Sequence, residues 1–213
     1  MTGDATHERV GFIGLGNIGK PMARRLTSWP GGLVVCDAVP STTSSFRERG
    51  VMAVDTPAEM GSICRRVSVM VRDDNQVTEV IAGARGLLET MGPGSVIAVH
   101  STIALETARA MADAAAQHGV VVLDAPVSGG AIGASQGTLA VMVGGEATAC
   151  DDFRPVFGAW ANLVEHFGPI GAGTQAKLAR NLLHFTSFCA VNESLRLAES
   201  FGIDLKALGN VVR

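Results

Sequence analysis

The chain has 213 residues, 47% of them hydrophobic, enough for one large α/β domain, or one domain and part of another, with a core that needs no staple. A formal net charge of −3, with no cluster of lysine or arginine, provides no footprint for nucleic acid. Over roughly the first 125 residues, short apolar β-branched runs alternate with helix-period segments, which predicts βαβ units and a parallel sheet. Strands are expected at Val10–Ile13, Leu33–Cys36, Val67–Val71, Val96–Val99 and Val120–Leu123, all apolar enough to be covered on both faces. Thr56-Pro57-Ala58-Glu59 reads as a capping box with proline at the first helical position, and Thr102 precedes an alanine-rich helix over Leu105–His118. Gly144-Gly145-Glu146 opens a further helix to about Trp160, and Val164–Phe167 is a candidate strand.

After Gly173 the pattern changes. Residues Gln175–Phe201 contain neither glycine nor proline and are apolar around most of the circumference, as expected of a helix buried between domains or subunits. Gly202 suits its C-terminal stop and Asp204 an N-cap for the next helix. The fold class expected is α/β, a Rossmann-type doubly wound sheet over residues 1–170, followed over 171–213 by a long interdomain helix and the start of an all-α domain. The chain ends soon after that second helix begins, so truncation is expected.

Cys36, Cys64, Cys150 and Cys189 have no CxxC spacing, which predicts reduced core thiols rather than disulfides or a zinc site. The Met1–His7 lead lacks the apolar centre of a signal peptide, and the run around Leu182–Val191 is too short to span a bilayer. A soluble cytoplasmic protein with no membrane partner is expected. Histidines 7, 100, 118, 166 and 184 show no ligand spacing, so no metal is assigned. His100 could line a cofactor site, but a core or solvated histidine is the favoured reading. Arg72-Asp73-Asp74 falls at a strand end, its acids placed to begin the next helix.

Four glycine-marked stretches carry the chemistry: Gly14–Gly19, Asp124–Gly130, Gly137–Gly145 and Gly171–Asn181. Gly14-Leu15-Gly16-Asn17-Ile18-Gly19 follows a predicted strand and opens a predicted helix, the context of a dinucleotide fingerprint. Gly14 serves the tight turn, Gly16 the approach of backbone amides to a pyrophosphate, and Gly19 the packing of helix on strand. Asp37 lies near the ~20-residue offset of the acid that binds a ribose 2′-hydroxyl. It would repel a 2′-phosphate, and Ala38-Val39-Pro40 supplies no arginine to hold one, so NAD is favoured over NADP. In Asp124–Gly130, Ser128 and the amides around Gly129 and Gly130 could hold a carboxylate, although an ordinary tight loop has the same composition. Lys177 and Asn181, spaced i,i+4, share one helix face. A buried lysine can transfer protons, and one that snorkels to solvent cannot.

GFIGLGNIGKPMA (11–23), HSTI (100–103), DAPVSGGAIGASQGTLAVMVGG (124–145) and GAGTQAKLARN (171–181) closely resemble the β-hydroxyacid dehydrogenase family, whose members include 3-hydroxyisobutyrate and 6-phosphogluconate dehydrogenases. The resemblance is nearest to the first and covers essentially the whole chain. It implies that Lys177 is the catalytic lysine, with Asn181 helping it, and that Ser128, Gly129 and Gly130 bind the substrate carboxylate. It also implies that Val71, Arg72 and Thr102 meet the nicotinamide side of a cofactor held by Gly14, Leu15, Gly16, Asn17, Ile18, Gly19 and Asp37. The activity implied is oxidation of a small 3-hydroxy acid such as 3-hydroxyisobutyrate to its semialdehyde, in a homodimer or tetramer assembled through the helical region. Reduction of a semialdehyde, glyoxylate or an imine, and a non-catalytic NAD-binding module, are the alternatives. Arg72 stands where many related sequences have proline, and His100 where many have serine.

Overall fold

Strand and helix alternate through most of a computed structural model that describes residues 8–211; Met1–His7 and residues 212–213 lie outside it. The elements are β1 (Val10–Ile13), α1 (Gly19–Arg25), β2 (Leu33–Cys36), α2 (Pro40–Arg47), β3 (Met52–Ala53), α3 (Pro57–Gly61), β4 (Arg66–Val69) and α4 (Asp74–Ala82). A 3₁₀ turn at Leu87–Glu89 precedes β5 (Val96–Val99), α5 (Leu105–Ala116), β6 (Val121–Asp124), β7 (Val127–Ser128) and α6 (Gly130–Gln136). The chain continues through β8 (Leu139–Gly144), α7 (Ala147–Gly158), β9 (Ala161–Gly168), α8 (Ala172–Ser200) and α9 (Leu205–Val211).

The sheet runs β3-β2-β1-β4-β5-β6-β8-β7, with β9 paired to β8. Strands β3 to β6 along this order are parallel, and β8 is antiparallel to β6 and β7. Asp124 faces Gly144, Val127 faces Val141 and Ser128 faces Ala140, so β6 and β7 form one line along β8, interrupted at Ala125–Pro126. The order reverses at β1, which has β2 on one side and β4 on the other. A crevice at the carboxyl ends of β1 and β4 is where an open sheet of this kind binds ligands.

The two-residue period of the strands builds two apolar layers. Val10 and Phe12, Leu33 and Val35, and Val96 and Ala98 point to one layer, with Met22 and Leu26 of α1 and Phe153 and Phe157 of α7. Ile13, Val34 and Cys36, and Ile97 and Val99 point to the other, with Val77 and Ile81 of α4 and Met111 of α5. Strands β1, β2 and β5 are accordingly apolar throughout, while β4 buries Ser68. Burial pushes the thiols of Cys36 and Cys64 up to about 12, so both are protonated core groups at neutral pH.

Several local expectations are met. Thr56 Oγ1 accepts the Glu59 amide at 3.1 Å, while the Glu59 carboxylate reaches back to the Asp55 amide at 3.1 Å. Asp73 caps α4 through the Gln76 amide at 2.9 Å, and Gly202, at φ +70, follows the end of α8. Others shift. The strand expected at Val67–Val71 ends at Val69, and Thr102 does not cap α5, whose cap residue Ala104 gives its amide to Asp74 Oδ1 at 2.8 Å. Strand β8 was not expected at all, because its glycine-flanked run takes its role from distant partners. The chain divides after Lys177 into two compact units. In the second, Leu182, Phe185 and Phe188 are exposed. Among the described residues no helix is long and apolar enough to cross a membrane, and no cluster of side chains could hold a metal ion.

The ends of β4, β5 and β6 are tied by His100, which is fully buried. Its Nδ1 lies 2.9 Å from the Ala125 carbonyl and its Nε2 3.1 Å from Ser68 Oγ, with Trp160 and Phe157 edge-on to the ring. Burial holds its pKa at about 4, against an ordinary 6.5. As pH falls through 6.5, the unfolded chain takes up this proton and the folded chain does not, so stability is lost between pH 6.5 and 4 and is complete above that window. The shift corresponds to on the order of 3 kcal/mol. Urea unfolding at pH 7.5, 6 and 5 should show the wild type losing stability more steeply on acidification than His100→Asn, and parallel losses would refute the assignment.

Candidate active site

The turn after β1 is shaped by backbone contact. Gly14 has φ +92, and a Cβ there would strike the Met70 carbonyl; a Cβ at Gly19 would strike the Gly14 carbonyl; a Cβ at Gly16 would meet no protein atom. The first two glycines close the turn and pack the helix, and the third leaves open space for a ligand. No side chain caps α1, and the Lys20 amide is bonded to the Gly16 carbonyl at 3.0 Å. A cavity of about 1000 Å³ opens there, walled by Gly14, Gly16, Asn17, Ile18, Asp37, Val71 and Arg72 among others. That size and lining fit a dinucleotide.

Asp37, which follows β2, is held by two backbone amides. Its Oδ2 accepts the Leu15 amide at 2.6 Å and its Oδ1 the Val39 amide at 2.8 Å. The carboxylate therefore joins the glycine turn to the entry of α2 while facing the cavity. Arg47 is paired with Asp55 at 3.6 Å and does not line the cavity. At the far edge, Ser101 Oγ donates to the Val71 carbonyl at 2.7 Å and accepts the Val71 amide at 3.0 Å. That clamp holds Val71–Arg72 against the end of β5. Thr102 is exposed and outside the cavity lining.

The second group of residues gathers at the end of β6. Asp124, 1% exposed, accepts the Gly171 amide at 2.7 Å and the Thr174 amide at 2.6 Å. This pins the first turn of α8 to the sheet, and Gly173 permits the contact because a Cβ there would strike the carbonyls of Met142 and Asp124. Lys177, further along α8 and 8% exposed, gives its Nζ to the Val127 carbonyl at 2.7 Å. Ser128 is next in the chain, followed by Gly129 at φ +129, which caps α6, and Gly130 at φ +62. The fold thus brings Lys177 to the strand that leads into Ser128, Gly129 and Gly130. Asn181 is also in α8 but belongs to the second unit.

Sequence reasoning missed Asp124 and Ser101 as organising groups. The partners of Asp124 are 47 and 50 residues away, and those of Ser101 are 30, so no local pattern marks them.

Residues 9–168 match the family described as the NAD binding domain of 6-phosphogluconate dehydrogenase. Over 213 residues the chain is 46% identical to an uncharacterized oxidoreductase of Mycobacterium tuberculosis, covering 100% of this chain and 72% of the relative. It is 33% identical over 208 residues to the mitochondrial 3-hydroxyisobutyrate dehydrogenase of Rattus norvegicus, covering 98% of this chain and 62% of that enzyme. The structure of Mycobacterium tuberculosis 3-hydroxyisobutyrate dehydrogenase with L-serine superposes with a TM-score of 0.89 at 32% identity, over 96% of this chain and 69% of that one. The chain therefore belongs to the family of oxidoreductases built on the NAD-binding domain of 6-phosphogluconate dehydrogenase.

Proposed function

We propose that this chain carries the cofactor-binding and proton-transferring machinery of an NAD-dependent dehydrogenase that oxidises a small 3-hydroxy acid, such as 3-hydroxyisobutyrate, to its semialdehyde. The observation that carries the reading is Lys177 Nζ, almost fully buried and held 2.7 Å from the Val127 carbonyl, beside the Ser128–Gly130 turn. Similarity to 3-hydroxyisobutyrate dehydrogenases supports the substrate class.

A bound nicotinamide supplies acceptance of a hydride from the carbon that bears the hydroxyl. The chain's residues do the rest. Ser128 and the amides about Gly129 and Gly130 hold the substrate carboxylate, which orients the hydroxyl toward Lys177. As the carbonyl forms, the hydroxyl proton passes to Lys177 Nζ, the bond to Val127 keeping the amine in place. Asn181 assists in orienting the lysine or the hydroxyl. Run backward, the same groups reduce a semialdehyde, with Lys177 giving the proton. Val71 and Arg72, clamped by Ser101, meet the nicotinamide end of the cofactor.

Asp37 supports NAD over NADP, since a 2′-phosphate would meet its carboxylate. The exposed Leu182, Phe185 and Phe188 support self-association through the helical region.

Lys177→Ala should lower turnover of 3-hydroxyisobutyrate about 100- to 10,000-fold and leave NADH affinity unchanged by fluorescence titration; retained turnover would remove the lysine from the reaction. Asp37→Ala should weaken NAD binding about 10- to 100-fold, the value of hydrogen bonds to a charged group, and narrow the preference over NADP. An unchanged ratio of NAD to NADP affinity would show that Asp37 does not read the ribose.

A further inference from the structure

The strand end that receives Lys177 is fixed at three points, and the proposed chemistry uses one of them, the Val127 carbonyl. Asp124 binds the start of α8, and the Val127 carbonyl receives Lys177 Nζ. Between them, the Ala125 carbonyl faces His100 Nδ1 at 2.9 Å. We propose that His100 is a positioning residue for proton transfer: by holding the Ala125 carbonyl it sets the place of Val127 and hence of Lys177 Nζ. The inference rests on the role given to Lys177 above.

The tautomer follows from the partners. A carbonyl only accepts, so Nδ1 carries the proton. The neutral ring then presents Nε2 as an acceptor for the hydroxyl of Ser68, 3.1 Å away. Ser68 lies in β4, His100 follows β5 and Ala125 follows β6, so the bonds form a line across three adjacent strands. Ser68 and His100 are both 0% exposed. The imidazole also stands edge-on to Trp160, with centroids 5.0 Å apart, and to Phe157 at 5.9 Å. It cannot turn without displacing core aromatics. Because burial keeps the ring neutral down to about pH 4, one nitrogen donates to Ala125 throughout the range in which a dehydrogenase works. A histidine that only filled space would serve through either nitrogen, whereas here a single nitrogen meets the strand that carries the site.

That asymmetry supplies the test. His100→Asn puts an amide donor where Nδ1 stands and gives up Ser68; His100→Gln extends toward the Nε2 position and gives up Ala125; Ser68→Ala removes only the far partner. Two readouts are taken on the full chain. One is kcat and KM for 3-hydroxyisobutyrate and NAD. The other is the NMR titration of the Lys177 amine in ¹⁵N-lysine protein, which is simple to assign because the lysines are Lys20, Lys177 and Lys206. His100→Asn and Ser68→Ala should keep kcat within about threefold and leave the Lys177 titration in place. His100→Gln should lower kcat about 10- to 100-fold, as misplacement of a reacting group does, at unchanged KM for NAD, and should move the Lys177 titration. Equal behaviour of the Asn and Gln variants in both readouts, or a change confined to melting temperature, would overturn the proposal. If the wild type turns over no hydroxy acid, the proposed function fails, and the Lys177 titration alone decides the role of His100. Should His100→Gln not fold, His100→Met, which fills the space without a donor, takes its place in the comparison.

Discussion

Two amides at the start of α8, from Gly171 and Thr174, end on the carboxylate of Asp124, and the position of Lys177 follows from that contact. A helix leaves its first four N–H groups without internal partners and carries partial positive charge at that end. A carboxylate there satisfies two of the donors and is itself stabilised by the dipole. Hydrogen bonds to a charged group contribute about 1.5–3 kcal/mol each, enough to hold the first turn down where Gly173 lets the backbones touch. With that turn fixed, the helical rise carries Lys177 to the Val127 carbonyl. A lysine this deeply buried would be costly without an acceptor, so the helix cap and the lysine contact depend on the same short strand end.

The two ends of the site are built from different materials. The cavity end is shaped mainly by backbone: an open position at Gly16, a glycine turn closed against the Met70 carbonyl, and one carboxylate that also fastens the turn. Asp37 accepts the Leu15 amide, so the carboxylate that faces the cavity also fastens the turn that walls it. Around Lys177, side chains from α8 and from the ends of β5 and β6 converge, and no single loop contains them.

That difference explains what could be read from the chain. The fingerprint, Asp37 and the strands β1, β2 and β5 are local signals, since turn chemistry and a two-residue apolar period declare themselves within a few residues. The glycine- and proline-free run Gln175–Phe201 identified the helix, and the spacing of Lys177 and Asn181 its candidate base, but not the carbonyl that holds the lysine. Strand β8 escaped notice because its six residues read as the apolar interior of a glycine-rich stretch; only the pairing of Gly144 with Asp124 and of Val141 with Val127 makes it a strand. Asp124 looked like part of a loop motif, and Ser101 like a neighbour of Thr102. Their functions are defined by partners 30 to 50 residues away, where sequence carries no geometric information.

The break at Ala125–Pro126 draws these features together. Asp124, Val127 and Ser128 keep one register along β8, so the interruption does not change the course of the strand; it changes what the carbonyls do. Proline has no N–H to give to a ladder and fixes φ, which makes it tolerable only where pairing is locally abandoned. Pro126 still gives its carbonyl to the Met142 amide at 3.1 Å, while the carbonyls on either side serve side chains, Ala125 for His100 and Val127 for Lys177. An uninterrupted strand here would have spent its polar groups on its neighbours. A strand that yields at this point keeps two acceptors for an imidazole and an amine, and places both within three residues of the carboxylate that anchors the helix.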